Sequence, residues 1–175
     1  MVYPIQLASE KDIPDIVDLL NITYRSEDSF NGWTSEANLI KGPIRTDEAT
    51  IKNLMGEAGA CFLKCLNEKN EVIGCVYLKK NGQRLYLGML SVRPVLQGLG
   101  IGKRFLNEAE LFAKKNGCDS VYMQVISQRK ELNDWYLRNG YSFTGEKKPF
   151  DIDEKYGVPV KPLDFVFLEK KISMH

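Results

Sequence analysis

Histidine is almost absent from this sequence, since the only one among 175 residues is His175, the last residue of the chain. A histidine-based catalytic triad or metal site needs a side chain that its surroundings hold rigidly, and the end of a chain does not provide this. We therefore predict no metal site. Any proton transfer must use another kind of side chain.

Cysteine is also sparse. Cys61, Cys65, Cys75 and Cys118 form no C-x-x-C pair, and all four lie in or beside apolar segments that are typical of strands. Cysteine in such a setting behaves as a small apolar residue. The pattern predicts buried, reduced thiols rather than a catalytic thiol.

The sequence has neither an excess of one charge nor a long apolar run. Lys and Arg number 24 against 23 Asp and Glu, and this balance favours neither nucleic acid nor an anionic membrane as a partner. No apolar run approaches ~18 residues, and the charged residues 10–12 interrupt a signal-peptide pattern. We expect one cytoplasmic domain, residues 1–175, without nucleic-acid or membrane partners, and we leave homodimer formation open.

Glycine, in contrast, is concentrated in one short stretch. Gly98, Gly100 and Gly102 stand at alternate positions between a strand-like run, residues 85–92, and a segment with apolar residues at helical spacing. Such a turn binds phosphate, because no Cβ keeps the ligand from the backbone and the first helical amides lack partners. A tight turn without a ligand is the alternative, but three glycines are entropically costly unless the backbone needs them.

The spacing of these glycines excludes two familiar phosphate loops. A dinucleotide-binding G-x-G-x-x-G would require a third glycine where Lys103 stands. An NTP-binding G-x-x-x-x-G-K-[ST] would require glycine at Gln97 and serine or threonine at Arg104. The loop must therefore belong to another class.

Two motifs together resemble one known family. The first is Gln97-Gly98-Leu99-Gly100-Ile101-Gly102, and the second, residues 132–141, has an aromatic pair followed after three residues by Gly-Tyr. Both are similar to motifs of the GNAT superfamily of acyl-CoA-dependent N-acetyltransferases. The periodicity along the chain predicts the order β-α-α-β-β-β-α-β-α-β-β, which also matches that family. The resemblance implies a mixed α/β (α+β) GNAT fold whose central, mostly antiparallel sheet has about seven strands and splays between strands 4 and 5.

The resemblance also implies the site. Acetyl-CoA would lie between residues 85–92 and 120–126 where these strands part, the backbone of Leu90 would hold the thioester oxygen, and Tyr136 would be the general acid. A phenol with a pKa near ~10 is protonated at neutral pH and can give its proton to a leaving thiolate. The cofactor-binding residues that it implies are Leu90, Ser91, Val92, Gln97, Gly98, Leu99, Gly100, Ile101, Gly102, Lys103, Asn133 and Tyr136.

The sequence departs from the family at the general base. Many relatives place a glutamate in the strand before the loop, where this chain has Gly88. Glu27, Asp28, Glu36 and Tyr86 are candidates to replace it, and loss of the proton to solvent is the alternative. The sequence does not choose among them.

The acceptor is expected to contact an irregular segment after the first helix and the loop of residues 150–163. Phe30 and Trp33 could pack against it, or could instead cap the core, and Glu36 could attract a cationic amine. We expect transfer of an acetyl group from acetyl-CoA to a primary amine of a small molecule or peptide by direct attack in a ternary complex. The alternatives are an acyl-CoA-sensing module without catalysis and an enzyme that acetylates protein N-termini or lysines.

Overall fold

The structure is a computed structural model that describes residues 3–26 and 35–173. Its strands are β1 (Ile5–Leu7), β2 (Ile40–Lys41), β3 (Ala60–Leu66), β4 (Val72–Asn81), β5 (Arg84–Val92), β6 (Ser120–Ile126), β7 (Ser142–Pro149), β8 (Val158–Pro159) and β9 (Asp164–Lys171). Its helices are α1 (Ile13–Arg25), α2 (Glu48–Met55), α3 (Ile101–Lys115) and α4 (Lys130–Arg138). None of these helices combines the length and the apolar character that crossing a membrane requires.

Seven strands form one twisted layer in the order β1-β3-β4-β5-β6-β9-β7. Neighbouring strands are antiparallel except for β5 and β6, which are parallel because α3 carries the chain back across the sheet between them. The predicted mixed, mostly antiparallel sheet of about seven strands is confirmed. The sequence did not predict β2 and β8, which pair with each other outside this sheet.

Alternating strand residues bury both faces of the sheet. On one face α1 and α2 contribute residues such as Ile16 and Ile51, which share a buried cluster with Phe62 and Tyr77. On the other face, α3 and α4 cover a cluster that includes Leu78, Phe105, Leu106, Ala109 and Val121. The pattern Ser9-x-x-Asp12 predicts a capping box at the entry to the first helical segment, and the carboxylate of Asp12 accepts a hydrogen bond from Ser9 N–H at 2.8 Å as expected.

The pairing between β5 and β6 ends after three residues. The partners are Arg84 with Ser120, Leu85 with Val121 and Tyr86 with Tyr122, and the two strands then part. These are the fourth and fifth strands of the seven-stranded sheet in chain order, so the predicted splay between strands 4 and 5 is confirmed. The residues of β5 beyond Tyr86 do not pair with β6.

A bulge lies on β5 just beyond this point. The register with β4 shifts between Cys75 and Tyr77, and Met89 has a backbone φ of +53°, which is rare for a residue with a side chain. Leu87 before the bulge and Leu90 after it both face the α3 side of the sheet, which strict alternation would not allow. The bulge thus turns the backbone of β5 where the strands separate.

Three local predictions need correction. The apolar spacing predicts a helix over residues 127–139, but the helix begins at Lys130, because Ser127 N–H still bonds to the Asp164 carbonyl at 2.8 Å and extends the sheet. Residues 35–40, for which a short helix is expected, form a turn into β2. The strand predicted over residues 141–145 continues to Pro149, since it resumes pairing with β9 after a register shift.

The short β2–β8 ladder is tied to α1 by one arginine. Nη1 of Arg25 donates hydrogen bonds to the carbonyls of Gly42 at 3.3 Å, Ile44 at 3.2 Å and Tyr156 at 2.5 Å. Gly157 lies against this group with φ +121°, and a Cβ on it would be 2.5 Å from Ile40 Cγ2 and 2.7 Å from Arg25 Nη1. Only glycine fits at this crossing.

We expect Gly157→Ala to lower the free energy of unfolding by roughly 3 kcal/mol, since overpacking adds to the strain of a left-handed backbone. Gly145→Ala is the matched control, because Gly145 has φ +90° but no atom within 4 Å of the added Cβ. This control should lose only about 1–2 kcal/mol. Urea unfolding of both variants measures the difference, and equal losses would contradict the close packing at Gly157.

Candidate active site

Two cavities meet where β5 and β6 part. The first, of about 380 Å³, is lined by the glycine loop, the start of α3 and one face of α4. The second, of about 710 Å³, lies between the split strands, the end of α1 and the segment that follows β7. Leu90, Leu132 and Tyr136 line both cavities, so these three residues mark the junction.

The glycine loop presents bare backbone to the first cavity. Gly98 and Gly100 have φ values of +87° and +84°, and a Cβ on either would meet no atom within 4 Å. Arg104 N–H donates to the Gly100 carbonyl at 3.1 Å, so the amides of residues 101–103 precede the hydrogen-bond ladder of the 15-residue helix α3. This geometry fits a phosphate group, which accepts amide hydrogen bonds and is stabilised by the positive end of the helix dipole.

The third glycine of the loop serves packing. A Cβ on Gly102 would lie 3.3 Å from the ring of Trp135, so α3 approaches α4 closely at this position. Trp135 in turn packs on Tyr136, with ring centroids 5.1 Å apart. The loop and the aromatic pair of the second motif, which are far apart in the sequence, therefore form one wall of the groove.

Nine of the twelve residues predicted to bind the cofactor line this groove: Leu90, Val92, Gln97, Gly98, Gly100, Ile101, Gly102, Lys103 and Tyr136. Three do not. Ser91 is buried, and Leu99 is 67% exposed at the tip of the loop. The side-chain amide of Asn133 donates to the carbonyls of Ile126, Ser127 and Arg129, so it holds the turn between β6 and α4 and does not line the groove.

Tyr136 lies at the junction with its side chain almost fully buried, at 4% exposure. Burial raises its pKa well above the usual value, and Tyr24 adds to this, while the positive charge of Arg129 opposes it. The phenol is therefore protonated throughout the physiological pH range. It is suited to donate a proton and unsuited to accept one.

Tyr24, which the sequence did not indicate, holds Leu90 from the side of the second cavity. The Tyr24 hydroxyl, at the end of α1, donates a hydrogen bond to the Leu90 carbonyl at 2.8 Å. Tyr24 is buried, and burial raises its pKa, so this donor keeps its proton. The bulge at Met89 and this bond together fix the backbone orientation at the junction.

The position of the missing glutamate is filled by a neighbouring ring. A Cβ on Gly88 would lie 2.9 Å from Cε1 and 3.1 Å from the hydroxyl of Tyr86. Tyr86 thus folds over Gly88 in the second cavity, where no longer side chain would fit without moving it. Burial raises the pKa of Tyr86, so its phenol is neutral at physiological pH and does not replace a carboxylate base.

Glu36 lies in the second cavity, but its charge is already compensated. Its carboxylate is 3.2 Å from Arg25 Nε, 3.7 Å from Arg45 Nε and 3.8 Å from Arg129 Nη1. Two of these guanidinium groups also lie over the Tyr24 ring, each 5.4 Å from its centroid. The attraction of Glu36 for a cationic amine, expected from the sequence, is weakened by this surplus of positive charge.

The sequence analysis missed Tyr24, Arg25, Arg45 and Arg129. They come from α1, the segment before α2 and the turn before α4, and no periodic pattern links such distant positions. Phe30, Trp33, Glu27 and Asp28, which were also candidates, lie outside the described residues.

The cysteines are free, and three of them are buried, with Cys61 half-buried. Desolvation raises the pKa of Cys61 to about 11 and that of Cys75 to about 12. These thiols are protonated at neutral pH and are therefore weak nucleophiles.

Residues 17–141 match the model of the acetyltransferase (GNAT) family, so the chain belongs to this family. The resemblance that the two motifs suggested is confirmed, and so is acetyl-CoA as the cosubstrate. No curated protein sequence matches the chain significantly.

Solved structures with the same fold have low sequence identity to this chain. PaiA N-acetyltransferase from Thermoplasma acidophilum, solved with coenzyme A, is 21% identical, with 98% of this chain and 100% of that chain covered and a TM-score of 0.68. A phosphinothricin acetyltransferase from Sinorhizobium meliloti, solved with acetyl-CoA, is 16% identical, with 99% and 90% covered and a TM-score of 0.71. The ribosomal-protein-S18-alanine N-acetyltransferase from Escherichia coli is 14% identical, with 99% and 96% covered and a TM-score of 0.72.

We expect Gly100→Ala to weaken coenzyme A binding at least tenfold, since its added Cβ points into open space beside the free amides and keeps a phosphate away. Gly82→Ala is the control, because Gly82 has φ +63° and also no atom within 4 Å, but lies in the turn between β4 and β5. Both variants bear similar backbone strain. Calorimetric titration with coenzyme A should separate them, and equal affinities would remove the loop from the binding site.

Proposed function

We propose that the protein transfers an acetyl group from acetyl-CoA to a primary amine of a small molecule or peptide, by direct attack in a ternary complex. The observation that carries the proposal is the position of Tyr136, which lines both the groove beside the glycine loop and the cavity between the split strands. A proton donor at this junction touches both reactants at the atoms that react.

The donor side uses backbone groups. Amides of the loop and of residues 101–103 bind the pyrophosphate, and Lys103, which lines the groove, adds a positive charge. Acetyl-CoA supplies a thioester carbonyl, whose oxygen gains negative charge under attack, and a thiolate leaving group. The N–H of Leu90, beyond the last β5–β6 pair, stabilises that developing charge, and Tyr136 protonates the sulfur.

Alignment of the amine with the thioester supplies much of the remaining rate enhancement. The bulge at Met89 and the Tyr24 hydroxyl hold Leu90 in one orientation, so the oxyanion donor needs no reorganisation during the reaction. An amine held in the second cavity attacks from the opposite side of the junction. Aligned reactants gain up to roughly 7–11 kcal/mol in the best intramolecular cases.

The amine loses its proton to solvent in this proposal. Gly88 offers no carboxylate, Tyr86 is protonated, and Glu36 is surrounded by arginines. The neighbours' names include an alanine of a ribosomal protein and the small molecule phosphinothricin among the acceptors, so at 14–16% identity they do not choose between these classes. The expected cytoplasmic location and the single-domain organisation remain predictions.

We expect Tyr136→Phe to lower kcat roughly 100-fold or more, because the ring packing survives and only the proton donor is lost. Tyr141→Phe is the matched control: its ring lies 5.8 Å from that of Tyr136, and its hydroxyl has no hydrogen-bond partner among the described residues. Stopped-flow or continuous detection of free thiol measures both variants. Equal turnover by Tyr136→Phe and the parent protein would exclude the phenol from the mechanism, and unchanged coenzyme A affinity would show that binding is intact.

The pH dependence of kcat/KM should rise with the deprotonation of the acceptor amine and show no descending limb below about pH 10, since the acid is the protonated Tyr136. Its pKa is raised well above the ordinary value, so the active protonated form is lost only at still higher pH. Profiles for two acceptors with different amine pKa values test this. The inflection of the pH profile should move with the pKa of the acceptor amine. An inflection at the same pH for both acceptors would reveal a base on the protein.

A further inference from the structure

We propose that the acceptor is a free amino acid, an amine with a carboxylate beside it, and that Arg129 binds this carboxylate. The inference deepens the acetyl transfer proposed above and rests on it for the identity of the second cavity. It is carried by a guanidinium group whose hydrogen-bonding capacity the described residues leave unused.

The positive charge around Glu36 exceeds what one carboxylate can neutralise. Arg25, Arg45 and Arg129 all approach it within 4 Å, and the side chains of Arg25 and Arg129 are only 1% and 7% exposed. Among the residues that the structure describes, three guanidinium groups against one carboxylate leave a local surplus of positive charge. Buried charges of this kind are costly unless they are paired, so an anionic partner is expected.

The partners of the three arginines differ. Arg25 donates to Glu36 and to three backbone carbonyls, so its fork is occupied. Nη1 of Arg129 faces Glu36 at 3.8 Å, which is an ion pair too long for a hydrogen bond. Nε and Nη2 of Arg129 are buried and have no hydrogen-bond partner among the described residues.

Nε and Nη2 share one edge of the guanidinium plane. This is an edge on which a carboxylate forms two parallel hydrogen bonds, and arginine is the side chain best suited to that bidentate contact. Arg129 lines the second cavity, and the proposal requires its long side chain to rotate so that this buried edge faces the cavity. A carboxylate there satisfies both donors and offsets the surplus charge.

Arg129 is also close to the reaction centre. Its charge acts on Tyr136, and its guanidinium lies over Tyr24, which holds the Leu90 carbonyl. A carboxylate on Arg129 therefore lies near the amine that attacks at the junction, and the short spacing of an α-amino acid meets this requirement. The other charged residues that line the cavity, Lys148 and Asp151, are exposed and of opposite sign.

The remaining wall of the cavity suits an apolar side chain. It includes apolar and aromatic residues of α2, β4, β6, β9 and the segment after β7, namely Leu54, Tyr77, Met123, Phe165 and Ile152. Free amino acids with an apolar side chain are therefore the first acceptors to test. Peptide N-termini lack the adjacent carboxylate and are disfavoured.

The test compares L-methionine, L-leucine and L-phenylalanine with their amides, which keep the amine and side chain and mimic a peptide N-terminus. Rates are expressed per deprotonated amine, since the amide group lowers the amine pKa. We expect the free acids to have kcat/KM values roughly 10- to 100-fold higher than the amides, the range for hydrogen bonds to charged groups. Arg129→Gln should remove this preference, mainly through KM, and Lys148→Gln, which removes a rim cation, should retain it.

A binding measurement separates this inference from the proposed reaction. With coenzyme A present, N-acetyl-L-methionine should bind more tightly than N-acetyl-L-methioninamide by calorimetry, and Arg129→Gln should abolish the difference without changing coenzyme A affinity. Carboxylate-dependent binding without turnover of any amine would overturn the acetyl transfer and leave the role of Arg129 standing. Equal binding and equal turnover of acids and amides would overturn the carboxylate site and leave the acetyl transfer standing.

Discussion

The early end of the pairing between β5 and β6 is the constraint on which the rest of this structure depends. Parallel strands normally satisfy each other's backbone groups along their length, but here the pairs stop at Tyr86 and Tyr122. The backbone beyond that point needs other partners. Tyr24 satisfies the Leu90 carbonyl, and the opening between the strands becomes the two cavities that meet at Tyr136.

Most of the fold could be predicted from the sequence because its signals are local. Alternating apolar residues predict the strands, the Asn-Gly pairs at residues 116–117 and 139–140 predict the ends of α3 and α4, and the capping box predicts the start of the first helical segment. Both glycines have positive φ in the structure, as such helix ends require. The bulge could not be predicted, because nothing in the side chain of Met89 favours φ +53°. The β2–β8 pair also escaped prediction, since each strand has two residues and depends on the distant Arg25.

The cofactor part and the proposed acceptor part of the site also differ in how far the sequence predicts them. The cofactor half lies in two continuous motifs, so nine of its twelve predicted residues line one groove. Asn133 was misleading, because its spacing from Tyr136 suits the groove while its amide turns to the carbonyls before α4. The proposed acceptor part is formed by single residues more than 100 positions apart, such as Tyr24 and Arg129. No local pattern in the sequence shows that residues so far apart are close in space.

The positive charge of the arginines around Glu36 compensates for the absence of a carboxylate base at Gly88. Positive charge next to an amine disfavours its ammonium form, so the arginines around Glu36 favour the neutral nucleophile without a carboxylate at Gly88. Arg129, one of these arginines, also lowers the pKa of Tyr136 against the effect of burial, and pairing of Arg129 with a carboxylate would weaken this effect. Without that pairing, the cluster favours both loss of the amine proton and proton donation by Tyr136, although it contributes neither the acid nor a base.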